Sequence, residues 1–139
     1  MTKEELLKEL REETYVMLQP SPTHGVGVFA ICDIPAGCRN IFSKNNGGWI
    51  KLSFEEVAEL PGHSRDFIES YYLYDETHYF IPDHGCKIMD MASYLNHSSE
   101  PNLISVNDGA YFETTRPIRK GEELLIDYGT IVNNGVDGY

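Results

Sequence analysis

The segment Ser93–Asn102, SYLNHSSEPN, places two asparagines, a histidine and three serines within ten residues. Such side chains donate and accept hydrogen bonds, yet polar residues around one proline also make an ordinary loop. A second stretch, HGVGVFAICDIPAG from His24, carries Gly25 and Gly27. There the backbone can approach a ligand with no Cβ in the way, or simply turn. A third, GEELLIDYG, ends in Asp127, Tyr128 and Gly129. The cysteines Cys32, Cys38 and Cys86 are odd in number and widely spaced. Without a CxxC pair they give neither a disulfide framework nor a zinc site, so no metal is expected and the thiols are expected free.

The elements that must position these stretches are short. Thr2 and Glu5 suit a capping box for an N-terminal helix over residues 2–13, with Leu6, Leu7 and Leu10 as a narrow apolar stripe. The stretch from Tyr15 to Cys38 reads as short strands broken by Pro and Gly. Ser53 and Glu56 suit the start of a second helix ending at Pro61-Gly62, and SRDFIESYYLYD sets Phe67, Ile68, Tyr71 and Tyr72 on one helical face. HYFIPDHG reads as a strand and turn, Asp90 as the cap of a short helical turn, and the segment after Ala110 as two strands around a turn at Lys120-Gly121. CDIPAGC and RPIRKGE share an Ile-x-x-Gly spacing, as two related turns of a duplicated β unit would.

The length of 139 residues fits one domain, spanning 1–139, and no linker or low-complexity run divides it. A formal net charge of -11, from 22 acids against 11 Lys and Arg, disfavours direct nucleic-acid binding. The excess suits a basic partner, or simply solubility. No apolar stretch suggests a signal peptide or membrane span, so an intracellular, membrane-free protein is expected. The expected compartment is the nucleus in a eukaryote and the cytoplasm otherwise. Nothing in the sequence fixes the oligomeric state, and a homodimer is compatible with it.

In this order, the three opening stretches resemble the SET-domain protein-lysine methyltransferases. That family carries a GxG-containing strand, an NHS-x-x-PN segment and a GEEL-x-x-DYG segment. The resemblance spans roughly Val16 to Gly129, with a tail at 130–139. It implies a mainly β fold with a few short helices (α+β), a SET-type β-clip whose C-terminal segment threads under the preceding loop as a pseudoknot. Chains rarely thread this way. Here threading would bring the Asn-His and Asp-Tyr-Gly segments together.

The resemblance also implies a reaction, methyl transfer from S-adenosyl-L-methionine to a lysine of a basic protein or peptide, such as a histone tail. The transfer needs a neutral amine, whereas free lysine has a pKa of about 10.4. An apolar, aromatic channel lowers it by disfavouring the charged form. Backbone around His24, Gly25, Val26 and Gly27 would bind the cofactor's amino-acid portion, with Tyr94, Asn96 and His97 completing its site. His97 could equally be a satisfied buried histidine. Tyr128 would be the catalytic residue, orienting amine and methyl rather than acting as a base. Ser98, Pro101 and Asn102 would hold the threaded loop, with Asp127, Glu122 and Glu123 in structural roles. Tyr79, Tyr111 and Ile126 would line the substrate channel, although Tyr79 and Tyr111 also suit a core.

Departures from the pattern are specific. Ser93 stands where many members have Arg, Ser99 where Cys is common, and no Cys-rich segment follows Tyr128. The zinc-binding post-SET module is therefore absent from the pattern, and the tail, through Val132 or Tyr139, is expected either to close the channel or to fray. Ile126, without a hydroxyl, would permit di- and trimethyl products. Two other classes stay open, a non-catalytic SET-like module that binds a peptide or partner, and a different enzyme on the same β-clip architecture.

Overall fold

A computed structural model describes residues 2–43, 48–88, 90–107 and 111–130. Helix α1, Lys3–Glu12, begins where the Thr2 hydroxyl accepts from the Glu5 N–H at 3.1 Å. None of its residues is buried. Strands β1 (Val16–Pro20) and β2 (Val26–Ala30) pair antiparallel, from Val16 opposite Ala30 to Pro20 opposite Val26. Strand β3, Trp49–Ser53, is a feature the sequence reading lacks. Helix α2, Phe54–Ala58, carries the full Ser53–Glu56 capping box but stops short of Pro61, because Glu59 already closes its last turn. Helix α3 runs Gly62–Tyr71, and β4, His78–Pro82, pairs with β3 as a separate two-stranded sheet.

Asp90 caps a 3-10 turn, Met91–Tyr94, by accepting from the Ser93 N–H at 3.1 Å. Then come β5 (Asn96–His97), β6 (Leu103–Val106), β7 (Tyr111–Thr114) and β8 (Glu123–Ile126). Although β7 and β8 are consecutive, they are not partners. Strand β7 pairs with β6, whereas β8 lies between β2 and β6 and also takes β5. Both β5 and β6 run parallel to β8, so the connection from residue 98 to 102 straddles the last strand. Its grip is polar: Ser98 N–H donates to the Ile126 carbonyl at 3.0 Å and Asn102 N–H to the Leu125 carbonyl at 3.1 Å.

The two Ile-x-x-Gly turns meet face to face. Ile34 and Ile118 exchange backbone hydrogen bonds at 2.7 and 2.8 Å, and both side chains are buried. Gly37 and Gly121, at φ 78° and 92°, occupy the matching left-handed position of each turn. Around this pair lies the main core, with Val28, Leu95, Leu103, Leu124 and Ile126. Each such side chain contributes roughly 1.5–3 kcal/mol by leaving water. A second cluster, Val57, Ile68, Tyr72 and Ile81, holds α2, α3 and β4 together. Among the described residues no helix is long and apolar enough to cross a membrane.

Candidate active site

Alternation along β8 decides which groups reach the site. Leu124 and Ile126 point into the core. Glu123, on the other face, takes hydrogen bonds from Ser21 Oγ at 2.8 Å, Thr23 Oγ1 at 3.4 Å and Asn96 Nδ2 at 2.7 Å. The same Asn96 amide donates to the carbonyls of His24 at 3.0 Å and Val26 at 3.4 Å. One buried asparagine thus ties the glycine-containing segment to the threaded strand. A Cβ on Gly27 would overlap the Glu123 carboxylate and stand 3.1 Å from Asn96 Nδ2. The close approach at Gly27 is therefore made by these two side chains. Gly25 sits at φ 48°, a left-handed conformation that favours glycine, with open space around it.

Asn102, only 2% exposed, works on the backbone instead. Its amide donates to the Glu123 carbonyl at 2.9 Å and accepts from the Leu125 N–H at 2.8 Å, standing in for a ladder partner. His97 Nδ1 accepts from the Tyr128 N–H at 3.1 Å, and the two rings meet edge to face at 5.3 Å. Asp127 Oδ1 lies 3.8 Å from that nitrogen and caps the Gly129 N–H at 3.0 Å.

Tyr128 Oη donates to the Leu95 carbonyl. Burial, with the nearby Tyr71, pushes its pKa up to about 12, so the phenol stays protonated across the physiological range. Two cavities meet at this residue. The smaller, about 250 Å³, is lined by Thr23, His24, Ser70, Asn96, His97 and Tyr128. The larger, about 670 Å³, has Tyr128, Leu95, Ile126, Tyr71, Tyr111 and Phe112 among its lining residues. Tyr128 is the residue common to both linings.

The structure gathers His24, Asn96 and His97 at the small cavity, while Tyr111 and Ile126 line the large one. Tyr94 and Tyr79 are not among the residues brought to either cavity. The tight 3-10 turn packs Tyr94 against the main core, and it is its neighbour Ser93 that lines the large cavity. Tyr79 is in neither lining. It packs on Phe54 and Tyr74 with ring separations of 5.2 and 5.6 Å, and the Tyr74 N–H in turn donates to the Tyr128 carbonyl at 3.4 Å. Burial and the Glu69 carboxylate raise the pKa of its phenol. Val132 and Tyr139 lie outside the described residues.

Ser21, Thr23, Ser70 and the Leu95 carbonyl belong to the site without any sequence signal for it. The two adjacent glutamates differ completely. Glu122 pairs outside with Arg116 at 3.0 Å, which holds its carboxyl below the usual range, whereas Glu123 anchors the inner network.

The SET domain family matches residues 25–129, and the chain belongs to that family. Over 46 residues it is 41% identical to a SET and MYND domain-containing protein of Dictyostelium discoideum, a match covering 32% of this chain and 12% of that protein. Among solved structures it is similar to a candidate histone methyltransferase of Plasmodium falciparum. That likeness has 19% identity and a TM-score of 0.50, covering 84% of this chain and 95% of the other. A humanized mutant of the Chaetomium thermophilum Polycomb Repressive Complex 2, bound to an inhibitor, matches at 21% identity and a TM-score of 0.52. There the coverage is 85% of this chain and 15% of that one. The likeness is one of fold: mainly β, with few short helices, in the SET-domain arrangement.

Proposed function

We propose that this SET domain transfers a methyl group from S-adenosylmethionine to a lysine side chain of a basic protein segment. The observation that carries the reading is the position of Tyr128, shared by a small polar cavity and a large aromatic one. Donor and acceptor entering from opposite sides would meet at its ring, and holding two reactants in line can supply roughly 7–11 kcal/mol.

The smaller cavity is partly matched to S-adenosylmethionine. With Asn96 Nδ2 committed to protein acceptors, its amide oxygen is the atom free to receive an ammonium donor. His24 and Thr23 at the rim would hold the amino-acid end. At about 250 Å³ the cavity takes only part of a nucleoside-sized ligand, since typical ligand pockets hold roughly 300–1,000 Å³. The cofactor would supply an electrophilic methyl on a cationic sulfonium. The chain's own contribution is to desolvate the lysine amine, which lowers its pKa from about 10.4, and to orient it. With its proton retained to about pH 12, Tyr128 would orient rather than abstract.

A histone tail fits this reading, since the Plasmodium falciparum protein sharing the fold is described as a candidate histone methyltransferase. The net charge of -11 would favour such a partner. A binding-only module is the second reading, favoured by Ser93 at a large-cavity position where many family members carry Arg. Titration calorimetry with S-adenosylmethionine, followed by radiolabelled methyl transfer onto histone and lysate proteins, tests both. Binding at one site per chain with label on lysine is expected. Binding without transfer to any substrate leaves the second reading, and no binding removes the transferase reading.

A further inference from the structure

Helix α1 lies outside the residues matched by the SET family and buries none of its own residues. It nevertheless forms one wall of the large cavity. Glu5 and Glu9, one turn apart in α1, line that cavity together with Glu13 at the helix C-cap. Glu9 is also tied down, accepting from Ser43 Oγ at 2.8 Å. Asp90, at the start of the 3-10 turn, adds a fourth carboxylate to the lining. The cations there are Lys8 and Arg39, and Arg39 is already paired with Glu113 at 2.9 Å. The described lining thus combines an aromatic floor, reaching Tyr128, with an acidic wall.

We infer that α1 with its C-cap is a specificity element, Glu5, Glu9 and Glu13 selecting target lysines flanked by Arg or Lys. This rests on the methyltransferase reading for the identity of the central lysine. The occupant follows from charge complementarity: an extended peptide whose lysine enters the aromatic part leaves its neighbours against the α1 carboxylates. Those carboxylates are partly exposed, so each pair is individually weak and their effect comes from acting together.

The test is fluorescence-anisotropy binding of two labelled peptides that share a central lysine and differ only in flanks of Arg or Gln. Each is measured on the full chain and on its Glu5→Gln, Glu9→Gln, Glu13→Gln variant. Gln keeps the side-chain oxygen that meets Ser43, so the helix stays in place, and a circular dichroism melt checks this. The full chain is expected to prefer the Arg-flanked peptide about tenfold at low salt, the combined effect of a few exposed charge pairs. The preference should shrink in high salt, and the ratio should fall to about one in the variant. Equal binding of both peptides by the full chain, or an unchanged ratio in the variant, overturns the inference. A variant-sensitive preference without methyl transfer upholds α1 as the selector and removes the transferase reading instead.

Discussion

The two cavities that meet at Tyr128 are built on different physics. Directional bonds fix the smaller one: Asn96 spends its amide on three acceptors, and Glu123 gathers Ser21, Thr23 and Asn96. Rings, aliphatic side chains and a helix with no buried residue frame the larger one. A satisfied polar network specifies one arrangement, whereas apolar contact is non-directional and tolerates repacking. The first half therefore suits a ligand that never changes and the second a partner that does. A common methyl donor and lysines in varied contexts would divide the site in that way.

Removing the group that joins the halves should have the largest effect. Tyr128→Phe deletes the hydroxyl that meets Leu95 but keeps the ring between the cavities. Methyl transfer should fall about a hundredfold or more, the roughly 2.7–4 kcal/mol of one positioned polar contact, with cofactor affinity within a few-fold. Wild-type turnover in the mutant would separate the two cavities functionally and end the catalytic assignment. The alkaline limb carries a second signature. Because the folded pKa of about 12 is raised above the ordinary phenol value of about 10, the unfolded chain ionises first. The stabilising contribution is full below about pH 10 and is lost as the pH rises toward 12. Urea melts should show a shallower alkaline decline in Tyr128→Phe than in the wild type, and identical declines would contradict the raised pKa.

The polar half should be the less forgiving one to alter. Asn102→Ala strands the Glu123 carbonyl and the Leu125 N–H, at roughly 1–3 kcal/mol each, so a loss of about 3 kcal/mol is expected in chemical denaturation. A loss below 1 kcal/mol would mean that water or a shifted strand replaces the clamp. Gly27→Ala acts on the same strand by crowding the Glu123 carboxylate, with an expected cost of roughly 1–3 kcal/mol. If the cofactor alone needed this glycine, stability would be unchanged and only cofactor affinity would fall.

Motifs that act through the backbone were legible in the sequence. The repeated Ile-x-x-Gly spacing anticipated turns that bond each other through Ile34 and Ile118, because a turn's chemistry is local. Asp90 and Ser53 were legible as caps for the same reason. The mainly β SET arrangement followed from the order of three segments. What escaped depends on which way a short element faces. A 3-10 turn rotates Ser93 to the cavity and Tyr94 to the core, and one step along β8 separates outer Glu122 from inner Glu123. Strand β3 is specified mainly by its pairing with β4, a contact no local pattern encodes. The glutamates of α1 keep a visible four-residue spacing, but only the docked helix places them beside Tyr128's cavity.

The smallest effect is expected where the adaptable half is least packed. Leu10 sits on α1 with 59% of its surface exposed, whereas Leu124 in β8 has none. Leu10→Gln removes apolar surface that is largely in water already and replaces one good helix former with another. Its effect on unfolding free energy should stay within about 0.5 kcal/mol. The matched control, Leu124→Ala, should remove about 2–5 kcal/mol, since it leaves a cavity where β8 crosses the core. Paired urea titrations read both values on one scale. A loss above about 1.5 kcal/mol for Leu10→Gln would mean that α1 is docked through its leucines and is part of the rigid frame. The contrast between the fixed and the adaptable half would then have to be redrawn on the far side of α1.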